Sequence, residues 1–226
     1  MFTRQRHAGT PLKFPVNGEE EAVRQTINPA YQGGADMELD IRPLDVSRMD
    51  DFLAFFDHEA FRDNPDWSAC YCQFYYHTVK DPRWEEISGE ENRGLARDNI
   101  LDGRMHGYLA YSGSKVVGWC NAGPKTGYPR LMSDERFLSA EDALTVSIVC
   151  YVVDSCFRRQ GIARALLQHA LMDARERGFV YIEAYPRLLE QSDAGHYHGP
   201  KSLYEGEGFE VYRELEKSLV MRLRLI

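Results

Sequence analysis

The chain has 226 residues, 43% of them apolar and 27% charged, with three Trp, enough to bury a core without metal or disulfide support. Its net charge of −8, from 27 basic and 35 acidic residues, speaks against a general nucleic-acid binder, because phosphate backbones demand a basic footprint. No run of about 18 apolar residues occurs, so no membrane span is expected.

The charge is unevenly spread. Residues 1–36 carry four groups of each sign, residues 106–226 fifteen of each, and residues 37–105 eight basic against sixteen acidic. An acidic segment beside a neutral remainder suits a cationic partner. The five cysteines (Cys70, Cys72, Cys120, Cys150, Cys156) are odd in number and unpatterned, which reads as reduced thiols in a cytoplasmic protein. The opening MFTRQRHAGTPLKFP is basic but lacks the apolar stretch of a secretory signal.

Residues 1–36, rich in Pro and Gly, read as an N-terminal extension, and 37–226 as the domain. Glu38–Pro43 alternates polar and apolar residues, a strand that Pro43 stops. Ser47 and Asp50 have capping-box spacing, and Met49, Phe52, Leu53 and Phe56 follow at helical spacing. Residues 67–78 and 85–101 read as further helices. His106–Tyr111 and Lys115–Asn121 are strands joined through Ser112-Gly113-Ser114, and Gly123–Arg130 is a loop. Leu144–Val153 is the most apolar stretch and reads as a central buried strand. Gly161–Arg177 spaces its small and apolar residues for a helix stopped by Gly178. Phe179–Tyr185 is a strand, Ser202–Glu207 a short helix, and Phe209–Tyr212 and Ser218–Leu225 the last strands. This order gives a mixed α/β fold on one sheet.

The informative unit is the buried strand, the turn Asp154–Gln160 and the helix after Gly161. A turn feeding a helix start leaves backbone amides without intrahelical partners, and with the helix dipole they form an anion site. Gly161 and Ala163 let a phosphate approach closely, and Arg158, Arg159 and Arg164 add positive charge. The Walker A and G-x-G-x-x-G patterns are both absent.

Arg158-Arg159-Gln160-Gly161-Ile162-Ala163 resembles the Gln/Arg-x-x-Gly-x-Gly/Ala signature of the GNAT superfamily of acyl-CoA-dependent N-acetyltransferases. Leu203-Tyr204, followed by Gly208-Phe209, is similar to that family's Leu-Tyr-x-x-x-Gly-Phe element. The resemblance covers roughly residues 38–226 in order of elements. It implies a mostly antiparallel sheet with a parallel central pair and acetyl-CoA as acyl donor. Arg158, Arg159, Gln160, Gly161, Ile162, Ala163 and Arg164 would surround the pyrophosphate, and the edge at Tyr151, Val152 and Val153 would pair with the pantetheine arm. The Tyr151 amide would then face the thioester oxygen, and Tyr204 would protonate the departing thiolate. An Asn common seven residues before that Tyr is replaced here by Tyr197.

For the general base, Glu183 is the first candidate and Asp154 the second. His196 and His198 have the chemistry of acid–base groups, but the preferred reading is that they are surface-loop histidines. Cys70-x-Cys72, near His58 and His77, lacks the second pair of a zinc site, so no metal is expected. The aromatic run from Trp67 to Tyr76, flanked by Asp57, Glu59, Asp63 and Asp66, suits a cation. The expectation is therefore acetyl transfer to a primary amine of a small cationic acceptor, by direct attack in a ternary complex. No nucleic-acid or membrane partner is expected, and a homodimer is left open. The rival reading is a GNAT-fold module that binds acyl-CoA without turnover.

Overall fold

The computed structural model describes residues 23–27, 37–81, 84, 86–189 and 195–226, the first five by backbone alone. Residues 1–22 and 28–36 of the expected extension lie outside the described residues. Strand β1 (Val23–Ile27) pairs antiparallel with β2 (Met37–Pro43), Val23 opposite Ile41. Then come helices α1 (Met49–His58) and α2 (Gly89–Leu101), strands β3 (Tyr108–Ser112) and β4 (Lys115–Pro124), and the four-residue helix α3 (Pro129–Met132). The rest of the chain forms β5 (Thr145–Val153), α4 (Ile162–Glu176), β6 (Tyr181–Ala184), α5 (Lys201–Glu205), β7 (Glu210–Glu214) and β8 (Leu219–Arg224). The eight strands form one sheet in the order β1-β2-β3-β4-β5-β6-β8-β7, antiparallel throughout except for the parallel pair β5–β6. The expected mixed α/β architecture is the one observed.

Burial explains the layers. The apolar stripe of α4, with Ile162, Leu166, Leu167, Ala170 and Leu171, covers one face of the sheet. It sits close because β4 has Gly118 beneath it: a Cβ there would lie 2.8 Å from Ile162 Cγ2. Helix α1 covers the other face with Phe52, Leu53, Phe55 and Phe56, and the Phe52 ring meets Trp119 edge-on at 5.0 Å. Helix α2 packs beside it, closed by a full capping box between Ser88 and Glu91.

Two local expectations are corrected. The capping group before α1 is Asp45, whose carboxylate accepts the Ser47 amide at 2.8 Å, and a 3-10 turn over Val46–Arg48 precedes the helix. Residues 67–78 form no α-helix. They hold 3-10 turns at Pro65–Trp67 and Phe74–Tyr76, because Tyr71 and Cys72 take φ of +41° and +57°, which a right-handed helix cannot accommodate.

The parallel pairing spans only Thr145–Ile148 against Tyr181–Ala184. Beyond Ile148, β5 runs on to Val153 with β4 on one side, while β6 stops at Ala184. One edge of this buried central strand is thus free of a neighbouring strand, and the cavity opens there.

Candidate active site

A cavity of about 980 Å³ runs along that edge. At one end it meets Arg158, Arg159 and the start of α4; in the middle it follows Cys150–Val153. At the other end stand Cys70, Cys72 and the rings of Phe56, Trp67, Phe74, Tyr75 and Trp84. The sequence-predicted donor residues are thereby brought together, Gln160 alone standing outside the lining.

Gly161 caps α4 with φ +89°, a conformation that costs other residues backbone strain. No side chain caps this helix start, so its first-turn amides face outward with the positive end of the helix dipole. Arg158 does not reach outward with them. Its guanidinium donates to Asp63, at 2.9 Å for Nη2, and to the Val153 carbonyl at 3.1 Å. Arg164 lies 3.6 Å from Glu207 across the second motif.

The edge of β5 is occupied from within the chain. That amide donates to the Tyr197 carbonyl at 2.6 Å. The reason is that a buried N–H left by the divergence of β6 needs an acceptor, and the strap Gly195–Gly199 crosses the gap to provide one. The Tyr197 ring is in turn met edge-on by Trp67 at 5.3 Å, joining the strap to the opposite wall of the cavity.

Neither predicted catalytic side chain lies on the cavity wall. Tyr204 is fully buried and donates its hydroxyl to the His198 carbonyl. Burial, with Cys120 nearby, pushes its phenol well above the ordinary value, so it stays protonated. Glu183 is also fully buried. Its carboxylate accepts from Lys125 Nζ at 2.8 Å, from Arg222 at 2.9 and 2.6 Å, and from Tyr185 Oη at 3.0 Å. With every lone pair engaged by cations or a phenol, it has no reach to a substrate amine. Asp154 accepts from Lys115 at 2.9 Å and from the Cys156 amide at 3.0 Å. Burial opposes its ionisation, but these donors hold its pKa below the ordinary carboxylate value.

His198 departs from its expected surface placement. Far from being a surface residue, it is 6% exposed, held between the Tyr75 hydroxyl (3.0 Å from Nε2) and the Tyr185 carbonyl (2.6 Å from Nδ1). The sequence offered little signal for this, because the contact joins residues 123 positions apart. Cys72 is the other residue that reasoning along the chain undervalued. Its sulfur accepts the Trp119 indole N–H at 3.2 Å. Burial opposes its ionisation, yet hydrogen bonds from Cys150, Trp119 and Asn121 bring its pKa below the ordinary thiol value. Cys150 moves the opposite way, well upward, through its contact with Cys72 and through burial.

Of the four carboxylates flanking the aromatic run, Asp57 is held by Arg93 at 2.9 Å, Glu59 by Lys115 at 3.0 Å and Asp63 by Arg158. Asp66 is among the residues lining the cavity. Three of these four carboxylates are thus paired with cations of the same chain, two of them, Lys115 and Arg158, from outside residues 37–105. Among the described residues no helix is long and apolar enough to cross a membrane, and no group of three His, Cys, Asp or Glu side chains could hold a metal ion.

The acetyltransferase (GNAT) family model matches residues 49–193. The GNAT domain of S. lividans PAT superposes with a TM-score of 0.57 at 16% identity, over 90% of this chain and 97% of that one. An N-acetyltransferase from Staphylococcus aureus Mu50 gives a TM-score of 0.51 at 16% identity, over 83% of this chain and 99% of that one. No curated protein matches the sequence significantly. The structural likenesses speak for the fold, and the family model spans well over half of the residues. The chain belongs to the acetyltransferase (GNAT) family.

Proposed function

We propose that the protein transfers the acetyl group of acetyl-CoA to the primary amine of a small acceptor, by direct attack with both substrates bound. The observation that carries this reading is a continuous cavity joining the uncapped start of α4 to an aromatic chamber along the free edge of β5. The amides of Gly161–Arg164, with Arg159 and Arg164, would hold the pyrophosphate, and the pantetheine arm would lie along Tyr151–Val153. The acetyl group then comes to rest near Cys150, at the border of the aromatic chamber. That chamber supplies apolar and cation–π contacts to the acceptor, with Asp66 as its carboxylate.

Donor binding along this edge requires the Tyr197 carbonyl to leave the Tyr151 amide. The amide so freed is a donor that can polarise the thioester carbonyl. Tyr204 acts as the acid for the departing thiolate only if its hydroxyl exchanges the His198 carbonyl for the sulfur. Tyr204→Phe tests this: an acid role predicts a fall in turnover well beyond any change in acetyl-CoA affinity.

The occupied Tyr151 amide favours one rival, a module that binds acyl-CoA without turnover. Calorimetry with acetyl-CoA, followed by thiol release against a panel of amines, separates the two. Binding without release across the panel supports the module, and absence of binding overturns both.

A further inference from the structure

Resting on the acetyltransferase reading, the question left by Glu183 is which group receives the proton of the attacking amine. The buried chain of hydrogen bonds around His198 answers it by donor counting. The Tyr185 carbonyl can only accept, so His198 Nδ1 carries the ring proton and donates to it at 2.6 Å. Nε2 is then a lone pair. Tyr75 Oη, 3.0 Å away, must be the donor. Its one proton is committed to His198, so the phenol oxygen has lone pairs alone for any other partner. Tyr75 lines the cavity together with Cys150, and the two lie close enough for their charges to interact.

The residue and the neighbours that hold it are themselves tied down. Tyr204 donates to the His198 carbonyl, the Tyr197 ring meets the imidazole edge-on at 4.1 Å, and the Tyr185 hydroxyl is tied to Ser147 at 2.7 Å and to Glu183 at 3.0 Å. Burial lowers the pKa of His198 to about 4, and Arg187 acts in the same direction. The ring is therefore neutral at physiological pH and keeps its lone pair toward Tyr75.

We propose that Tyr75 is the catalytic group that accepts the N–H of the attacking amine, and that His198 is the positioning residue that takes up the proton Tyr75 gives. The amine nitrogen forms a bond to the thioester carbonyl carbon. One amine proton passes to Tyr75 Oη while the phenol proton passes to His198 Nε2. The carbon–sulfur bond then breaks, its electron pair stays on sulfur, and, with the Tyr204 hydroxyl still committed to the His198 carbonyl, the proton returns through Tyr75 to the thiolate in place of one from Tyr204. The products are the N-acetylated amine and CoA thiol, with Tyr75 and His198 restored. Among ligands, an oxygen that presents lone pairs selects those with an N–H to donate, which suits a neutral primary amine at the moment of attack.

The test uses the full chain with acetyl-CoA and phenethylamine, tryptamine and 1,5-diaminopentane as acceptors. Tyr75→Phe is expected to lower kcat about 100-fold or more, the scale of positioned acid–base groups, while the acetyl-CoA Kd from calorimetry stays within about twofold. His198→Gln, which can still accept from Tyr75 but cannot take a proton, is expected to lower kcat similarly with KM little changed. In the wild type, ring-nitrogen NMR is expected to show His198 as the Nδ1–H tautomer, with the Nε2 resonance moving in Tyr75→Phe. Turnover of Tyr75→Phe within threefold of wild type, or an Nε2–H tautomer, overturns the proposal alone. No thiol release by the wild type with any of the three amines overturns the acetyltransferase reading and the proposal with it.

Discussion

The Tyr151 amide donates to the Tyr197 carbonyl at 2.6 Å, closing the gap left where β6 ends and β5 continues. A strap that satisfies a buried amide this way must be displaced by any ligand that uses the same amide. The Trp67–Tyr197 ring contact at 5.3 Å helps to hold it. Tyr197→Ala is therefore expected to tighten acetyl-CoA binding about two- to tenfold, because less of the protein sits in the occupied state. Calorimetry measures this directly. Weaker binding would make the Tyr197 ring part of the site, not a barrier to it.

Gly161 at φ +89° is the pivot between the turn and α4. In Gly161→Ala the left-handed conformation costs about 1–2 kcal/mol, so the thermal midpoint is expected to drop by roughly 3–6 °C. Acetyl-CoA affinity should fall at least tenfold, since a methyl group stands where the phosphate would approach. A midpoint loss with unchanged affinity would move the anion site elsewhere.

Glu183 distinguishes a buried ion-pair role from a catalytic one. Replacing it by Gln takes the shared carboxylate from the fully buried Lys125, which keeps Asp142 at 2.8 Å, and from the half-buried Arg222, which keeps Glu141 at 3.3 Å. Breaking such a cluster costs about 3–5 kcal/mol, read as a shift of the urea midpoint. A variant with wild-type stability and no turnover would instead restore Glu183 as the base.

His198 has a folded pKa of about 4, against about 6.5 for an unperturbed histidine. Between these values the unfolded chain binds the extra proton, so stability rises with pH and is lost as pH falls from about 6.5 toward 4, by up to about 1.4 kcal/mol per pH unit. His106, also lowered to about 4 by burial, adds a second contribution of the same sign. Urea titrations at several pH values should show this slope. In His198→Gln it should shrink, and an unchanged slope would assign the effect to other groups.

Cys72 and Cys150 both line the cavity, while Cys156 is exposed. Alkylation by N-ethylmaleimide, mapped by peptide mass, is expected to slow at Cys72 when CoA is added and to stay unchanged at Cys156. Equal labelling of Cys72 with and without CoA would place the donor path away from β5.

Much of this protein is local in origin and was legible residue by residue. The β-branched run before Val153, the glycine at 161 and the spaced Leu and Ala of α4 dictate strand, turn and helix, because their conformational preferences act over a few residues. Helix α2 carried its own signal in Ser88 and Glu91. By contrast, Tyr71 and Cys72 take positive φ without being glycine, so the aromatic run that looks helical in sequence is two isolated turns. That outcome depends on packing beneath α1 and α2, which no local preference encodes.

The tertiary structure alone decided how the charges and hydrogen bonds are shared. It matched Glu183 to Lys125 and Arg222, Asp63 to Arg158, and His198 to Tyr75, and it delivered the Tyr197 carbonyl to the free edge of β5. The physical reason is that a carboxylate, an imidazole or an amide takes whichever complementary group the folded chain brings within about 3 Å. These partners come from far along the sequence. Residue type tells what such a group can do, and only the fold settles which neighbour it does it with.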